Sequence, residues 1–372
     1  MKMLGIIFSN IYDNQLGRLT EHRAMASVPY GGRYRLIDFV LTNMVSSSIT
    51  SVGVITKSNY QSLMDHLGNG SEWDLDRKTD GLYILPPFSS GQTTVYKGKL
   101  EALQGAVNFL EHAMPDYVVL SDTNIVMRID YRDMLKAHIK SGADITMLTK
   151  NCSELDEDVI RDTIVRCDES GRINDVRILP TDADKEGDKM GLGVYIISKK
   201  LLMKIIDDSR SYGLTNFERD CIQRSKDIIN IRSYNHEGSI VVIDNLNNYY
   251  KGNMALLDTK INRELFVKNG PVYTKTRDEV PAKYDEYAVV KNSLIADGCV
   301  VNGTVENSIL FRGVKVKKGA KITNSIVMQD TVIGKDATIA NAILDKEVKI
   351  SDNKMIVGDK QYPTILAKGV TI

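Results

Sequence analysis

The sequence predicts an α/β domain with a mostly parallel sheet, followed by a parallel β-helix of hexapeptide repeats. Length is the first sign: 372 residues leave room for two cores, because single cores seldom grow past roughly 250 to 300 residues. Strand-like and helical patterns then alternate up to about residue 245, as in sheets covered on both faces. From about Val289 the texture changes, and aliphatic residues recur six apart.

Taken in order, MLGIIF, SVGVIT, YVVLSD, DITMLT and LGVYIIS read as strands, and KLEALQGAVNFLEHA as an amphipathic helix. Ligands of such sheets bind beyond the C-terminal ends of strands. That rule points to the loop after MLGIIF, to Ser121 and Asp122 after YVVL, and to the segment before LGVYIIS. Residues 246–288 hold a helix, GNMALLDTKINREL, and the extended linker PVYTKTRDEVPAKYDEY. In the remainder the sixfold series runs Val289, Ile295, Val301; Leu310, Val316, Ile322; Val327, Ile333, Ile339; and Leu344, Ile350, Ile356. Six residues make one short strand and a corner, so the tail predicts about four stacked triangular coils. An α-helix is excluded because six-residue spacing walks around a 3.6-residue turn. The expected domains are therefore 1–245, a linking segment 246–288, and 289–372.

Composition narrows the function classes. The 48 basic and 48 acidic residues balance, with 42% hydrophobic and 26% charged residues, so charge calls for no nucleic-acid partner. The opening apolar run is too short for a signal segment or a membrane span, which predicts a cytoplasmic protein without membrane attachment. Cys152, Cys167, Cys221 and Cys299 are far apart and read as reduced structural thiols. The five histidines, His22, His66, His112, His138 and His236, show no metal-ligand spacing.

Five blocks together carry a resemblance: RLTEHRAMASVPYGGRYRLIDFVLTN, VGVITKSNYQSLMDHLGNGSEWDLDRKTDGLYILPP, the Asp122 turn, MGLGVYIIS and the hexapeptide tail. In their order and spacing, the chain resembles bacterial ADP-glucose pyrophosphorylases (glucose-1-phosphate adenylyltransferases) over nearly its whole length. The resemblance implies a nucleotidyltransferase domain with a dinucleotide-binding-like sheet, a left-handed β-helix, and a tetramer under allosteric control. It also implies the joining of ATP to glucose-1-phosphate for glycogen synthesis. Such chemistry needs backbone N–H groups at the triphosphate, cations, and Mg²⁺ held by carboxylates.

At those places this chain departs from the family. Where the family's loop has G-G-x-G-x-R, the chain has Asn10, Ile11, Tyr12, Asp13, Asn14 and Gln15. The family's R-A-K-P becomes Arg23, Ala24, Met25 and Ala26, with Arg18 a nearby cation in a different register. Asp122 remains as the metal anchor, but the second carboxylate expected near residue 250 gives way to Tyr249, Tyr250, Lys251, Gly252 and Asn253. The family's E-K-P becomes Ile178, Leu179 and Pro180. The resemblance leaves Glu101, Gly193, Arg219 and Asp220, with Arg18 and Asp122, as residual ligand contacts, and Mg²⁺ as a cofactor only where activity survives. If each lost charge-stabilising group costs about 10² to 10³ in rate, even non-additive losses remove most of the acceleration.

This pattern is similar to the GlgD-type regulatory subunit, which implies an inactive or weak chain that modulates a homologous catalytic subunit in a mixed tetramer. Arg33, Arg35, Arg312, Lys315 and Lys317 form the expected anion site for a phosphorylated metabolite effector. The alternatives are a slow standalone nucleotidyltransferase making ADP-glucose or a related nucleotide sugar, a ligand-free scaffold, and a hexapeptide acyltransferase. The last needs a histidine base, and no histidine follows His236.

Overall fold

A computed structural model describes residues 2–87, 96–181 and 186–372. The chain divides into two compact units that are discontinuous in sequence. The first comprises Met1–Tyr12, Ala24–Ala26 and Phe39–Ile240, the second Asp13–Arg23, Ser27–Asp38 and Val241–Ile372.

Among the described residues, the first unit is built on a nine-stranded sheet. Its strands are β1 (Met3–Phe8), β2 (Ser51–Ile55), β3 (Gly81–Leu85), β4 (Tyr117–Ser121), β5 (Ile145–Asn151), β6 (Thr163–Cys167), β7 (Ile173–Ile178), β8 (Lys189–Ser198) and β9 (Ile231–Asn235). The order is β7-β6-β8-β4-β1-β2-β3, with β5 paired to β8 and β9. β4, β1, β2 and β3 run parallel, whereas β8 runs antiparallel to β4, β5 and β6. β1 is buried along its length, as its unbroken apolar run requires of a central parallel strand.

Helices α1 (Leu36–Ser46), α2 (Gln61–Leu67), α3 (Lys99–Gln104), α4 (Val107–His112), α5 (Tyr131–Ser141) and α6 (Lys199–Tyr212) follow in chain order. Leu4, Ile6 and Leu120 pack with Leu100, Leu103, Leu110, Leu202 and Ile206 of α3, α4 and α6. On the other face Gly5 is bare because a Cβ there would stand 2.5 Å from the Met44 sulfur of α1. The segment expected as a single helix breaks at Gly105 and Ala106 into α3 and α4.

In the second unit α7 (Leu246–Met254) and α8 (Thr259–Arg263) precede three five-stranded parallel sheets, the architecture of a left-handed β-helix. The sheets run from Lys283–Tyr284 to Lys349–Ile350, from Val289–Lys291 to Met355–Val357, and from Leu294–Ile295 to Thr364–Leu366. The first rung therefore opens at Lys283, ahead of the repeat visible in the sequence. Val301, Val316, Ile333 and Ile350 stack inward, as do Val305, Ile322 and Ile339. Val289 is exposed, and Val290 packs on the core in its place. Asn292, Asn307, Asn324 and Asn341 recur at one corner with φ of 41° to 49°, a left-handed conformation that asparagine tolerates. All four cysteines are free. Among the described residues no helix is long and apolar enough to cross a membrane.

Candidate functional site

Asp122 follows the C-terminal end of β4, beside the end of β1, where an α/β sheet places its ligand. Its N–H donates to the Gly193 carbonyl at 3.1 Å. Gly193 has φ of 64°, and a Cβ there would stand 2.2 Å from Asp122 Oδ2, so only glycine fits.

Three residues that sequence reasoning passed over surround that carboxylate. Lys99 Nζ donates to Asp122 Oδ2 at 2.7 Å and also to Glu218 Oε1, and both Lys99 and Asp122 are almost fully buried. Tyr195 Oη donates to Glu218 Oε1 at 3.1 Å. Tyr12, noted only as a departure in the loop, donates to Asp122 Oδ2 at 3.1 Å. Burial, and then the Asp122 charge, hold the Tyr12 phenol well above its ordinary range, so it is a donor at neutral pH.

Local backbone explains how the cluster assembles. Gly98 caps α3, and a Cβ on it would stand 2.3 Å from the Thr215 carbonyl, which accepts the Leu100 N–H at 3.0 Å. Lys99 is thereby delivered to the π-helical turn Phe217–Gln223 that carries Glu218. Burial would lower the ammonium's pKa, but Asp122 and Glu218 outweigh it and hold Lys99 charged. Burial pushes Asp122 up to about 6 against the pull of Lys99. Glu218 stays below its ordinary value because Lys99 overcomes its burial.

The loop that should cradle phosphate is filled by side chains. Asn10 is buried; its Oδ1 accepts from Ser9 Oγ at 2.5 Å and the Lys57 N–H at 3.1 Å, and its Nδ2 donates to the Ser58 carbonyl at 3.1 Å. Ile11 packs on the apolar core, and Met25 is fully buried. Asp13 opens the short helical turn Asp13–Leu19, which also contains Gln15 and the exposed Arg18.

The remaining expected contacts scatter. Asp220 Oδ2 accepts the N–H groups of Thr215 and Asn216, at 3.1 and 3.0 Å, and so closes its own turn, while Arg219 is exposed. Glu101 accepts the Lys97 N–H and lines a small recess with Ile55, Leu85 and Tyr96. In the second unit, the segment where a second carboxylate was expected is occupied with packing. Tyr249 Oη donates to the Pro29 carbonyl at 2.5 Å, Tyr250 Oη to that of Asn324 at 2.7 Å, and Asn253 Oδ1 accepts the Gly31 N–H at 3.0 Å.

For Mg²⁺ the residues present do not fit. The position that bridges Asp122 and Glu218 belongs to the Lys99 ammonium, and no group of three metal-binding side chains exists among the described residues.

The expected effector residues divide. Arg312 is buried, its Nη1 donates to the Lys275 carbonyl at 3.4 Å, and its Nε has no partner among the described residues. Burial, and then repulsion from Arg33 and Arg277, draw it below its ordinary value. Lys346, which sequence reasoning missed, is pushed down to about 7 by burial and by Arg35, Arg23 and Arg277. Arg33, Arg35 and Arg312 thus share a cationic region with Lys346 and Arg277. Lys315 and Lys317 are exposed, and Lys317 faces Asp352 at 3.8 Å.

Comparisons with known proteins agree with this layout. A nucleotidyl transferase family model matches residues 5–232, and a GlmU-like C-terminal hexapeptide model matches residues 279–371. The chain is 36% identical to glycogen biosynthesis protein GlgD of Bacillus subtilis (strain 168), over 99% of this chain and 96% of that protein. It is 36% identical to GlgD of Geobacillus stearothermophilus, over 86% and 83% of the two chains. Glucose-1-phosphate adenylyltransferase of the same organism is 33% identical, again over 86% and 83%.

Proposed function

The chain belongs to the family of GlgD and glucose-1-phosphate adenylyltransferase, and from that membership we propose that it is a GlgD-type subunit relieved of catalysis. In this reading it works in the cytoplasm in glycogen biosynthesis and modulates a homologous catalytic subunit within a mixed tetramer. The supporting observation is Asn10. A loop that serves a triphosphate must present bare backbone N–H groups, and here a buried side chain stands at the start of the loop, hydrogen-bonded to Ser9 beside it and to Lys57 and Ser58 after β2. The cationic region around Arg312 and Lys346 is the corresponding effector site, where several converging cations favour a phosphorylated metabolite.

The test is to titrate the chain into a fixed amount of the catalytic pyrophosphorylase from the same cell and follow its apparent substrate affinity and rate. A change that saturates at a fixed ratio of the two chains is expected. A partner whose kinetics do not move at any ratio, with no mixed assembly on a sizing column, would overturn the reading.

A further inference from the structure

We propose that the Lys99 ammonium is a built-in cation that stands between Asp122 and Glu218 as a divalent metal ion would. Removing its charge should turn those two carboxylates into a divalent-cation site. The inference rests on the reading of a nucleotidyltransferase site released from turnover, and it specifies what that site has become.

The geometry is that of a coordinated ion. Lys99 Nζ bonds one oxygen of each carboxylate, and Tyr12 and Tyr195 donate to the same two oxygens, each at 3.1 Å. The side chains of Lys99, Asp122 and Glu218 are 4%, 2% and 14% exposed, so the three charges stand largely out of bulk solvent. The rings of Phe8 and Tyr195 lie 5.8 and 5.7 Å from Nζ and close its flanks with π-faces, which favour a cation. An Mg²⁺ ion bridging the same oxygens at about 2.1 Å would have to stand where Nζ stands.

Charge supports the exclusion. Two carboxylates and one ammonium leave a single net negative charge in a buried site, and an arriving divalent ion would also meet the ammonium at contact distance. One acceptor remains unused: Asp122 Oδ1 is buried and has no hydrogen-bond partner among the described residues. A lone carboxylate oxygen beside a fixed ammonium does not hold Mg²⁺, which needs several oxygen ligands. With Lys99 neutral, Asp122 Oδ1 and Oδ2 together with Glu218 Oε1 would supply them.

The full-length chain is titrated with Mn²⁺ alone, and the free ion is followed by its EPR signal. Wild-type protein should show no Asp122-dependent binding up to about 1 mM, whereas Lys99→Met, which keeps the side-chain volume, should gain one site at least about tenfold tighter. Lys99→Met/Asp122→Asn should lose that site again. Lys99→Met is also followed by thermal unfolding, and Mn²⁺ should raise its Tm. Wild-type binding that Asp122→Asn abolishes would overturn the proposal. So would a Lys99→Met chain that binds no more Mn²⁺ than wild type, or that stays unfolded with and without the ion. None of these readouts involves a partner, so failure here is separate from failure to modulate a catalytic subunit.

Discussion

Arg23 grips Asp345 with two parallel hydrogen bonds, Nη1 to Oδ1 and Nη2 to Oδ2, each 2.9 Å and buried. The arginine retained from the family's R-A-K-P block is thus spent on an ion pair inside the second unit. Breaking a buried pair leaves an uncompensated charge, so Arg23→Ala should cost about 3 to 5 kcal/mol in chemical denaturation. Arg23→Met/Asp345→Leu should cost clearly less, because no buried charge then remains.

Gly98 holds α3 against the Thr215 carbonyl, with only 2.3 Å between that oxygen and a Cβ. Backbone cannot yield there as a flexible side chain would. Gly98→Ala should therefore lower stability by about 1 to 3 kcal/mol. Thermal unfolding of that variant beside the wild-type chain measures the loss.

The corner asparagines of the β-helix make a matched pair of substitutions informative. Asn324 has φ of 45°, donates to Asn341 Oδ1 at 3.3 Å, and its carbonyl accepts from Tyr250. Asn324→Ala should cost about 1 to 2 kcal/mol through the left-handed backbone, and Asn324→Gly should cost less despite losing the same amide. Equal losses in denaturant titrations would assign the cost to the hydrogen bond instead.

Burial and the neighbouring arginines push Lys346 down to about 7, so binding of an anion at the proposed effector region should depend on pH. Below that value its ammonium adds to Arg35, Arg23 and Arg277, and as pH rises through it one positive charge leaves the region. Sulfate keeps its charge between pH 6 and 8.5, so calorimetry should show its affinity falling by roughly fivefold or more across that range. Lys346→Met should flatten the profile, and Arg312→Ala should weaken binding at every pH.

The α/β domain and the β-helix were legible because each rests on a periodicity: β-rich runs that alternate with helices, and aliphatic residues six apart. Val290 was missed because two adjacent valines satisfy the same hydrophobic count, and only the corner geometry decides which faces inward. The break between α3 and α4 was missed because a lone glycine inside an amphipathic pattern is also tolerated in a continuous helix. The place of Asp122 directly after a strand was legible. Lys99 and Glu218 were not, because 119 residues separate them. Their roles exist only once Gly98 meets Thr215. The losses at Asn10 and Met25 were legible as identities, but that the Asn10 side chain is buried and bonded to Ser9, Lys57 and Ser58 needed coordinates.

The measurement that bears most directly on a site relieved of catalysis is ADP-glucose synthesis by the chain alone, with saturating ATP, glucose-1-phosphate and Mg²⁺. A rate at the level of the protein-free control is expected, because the buried Asn10 side chain stands where the phosphate loop needs a glycine and the Lys99 ammonium stands between Asp122 and Glu218. Brisk Mg²⁺-dependent turnover that Asp122→Asn abolishes would contradict both statements at once.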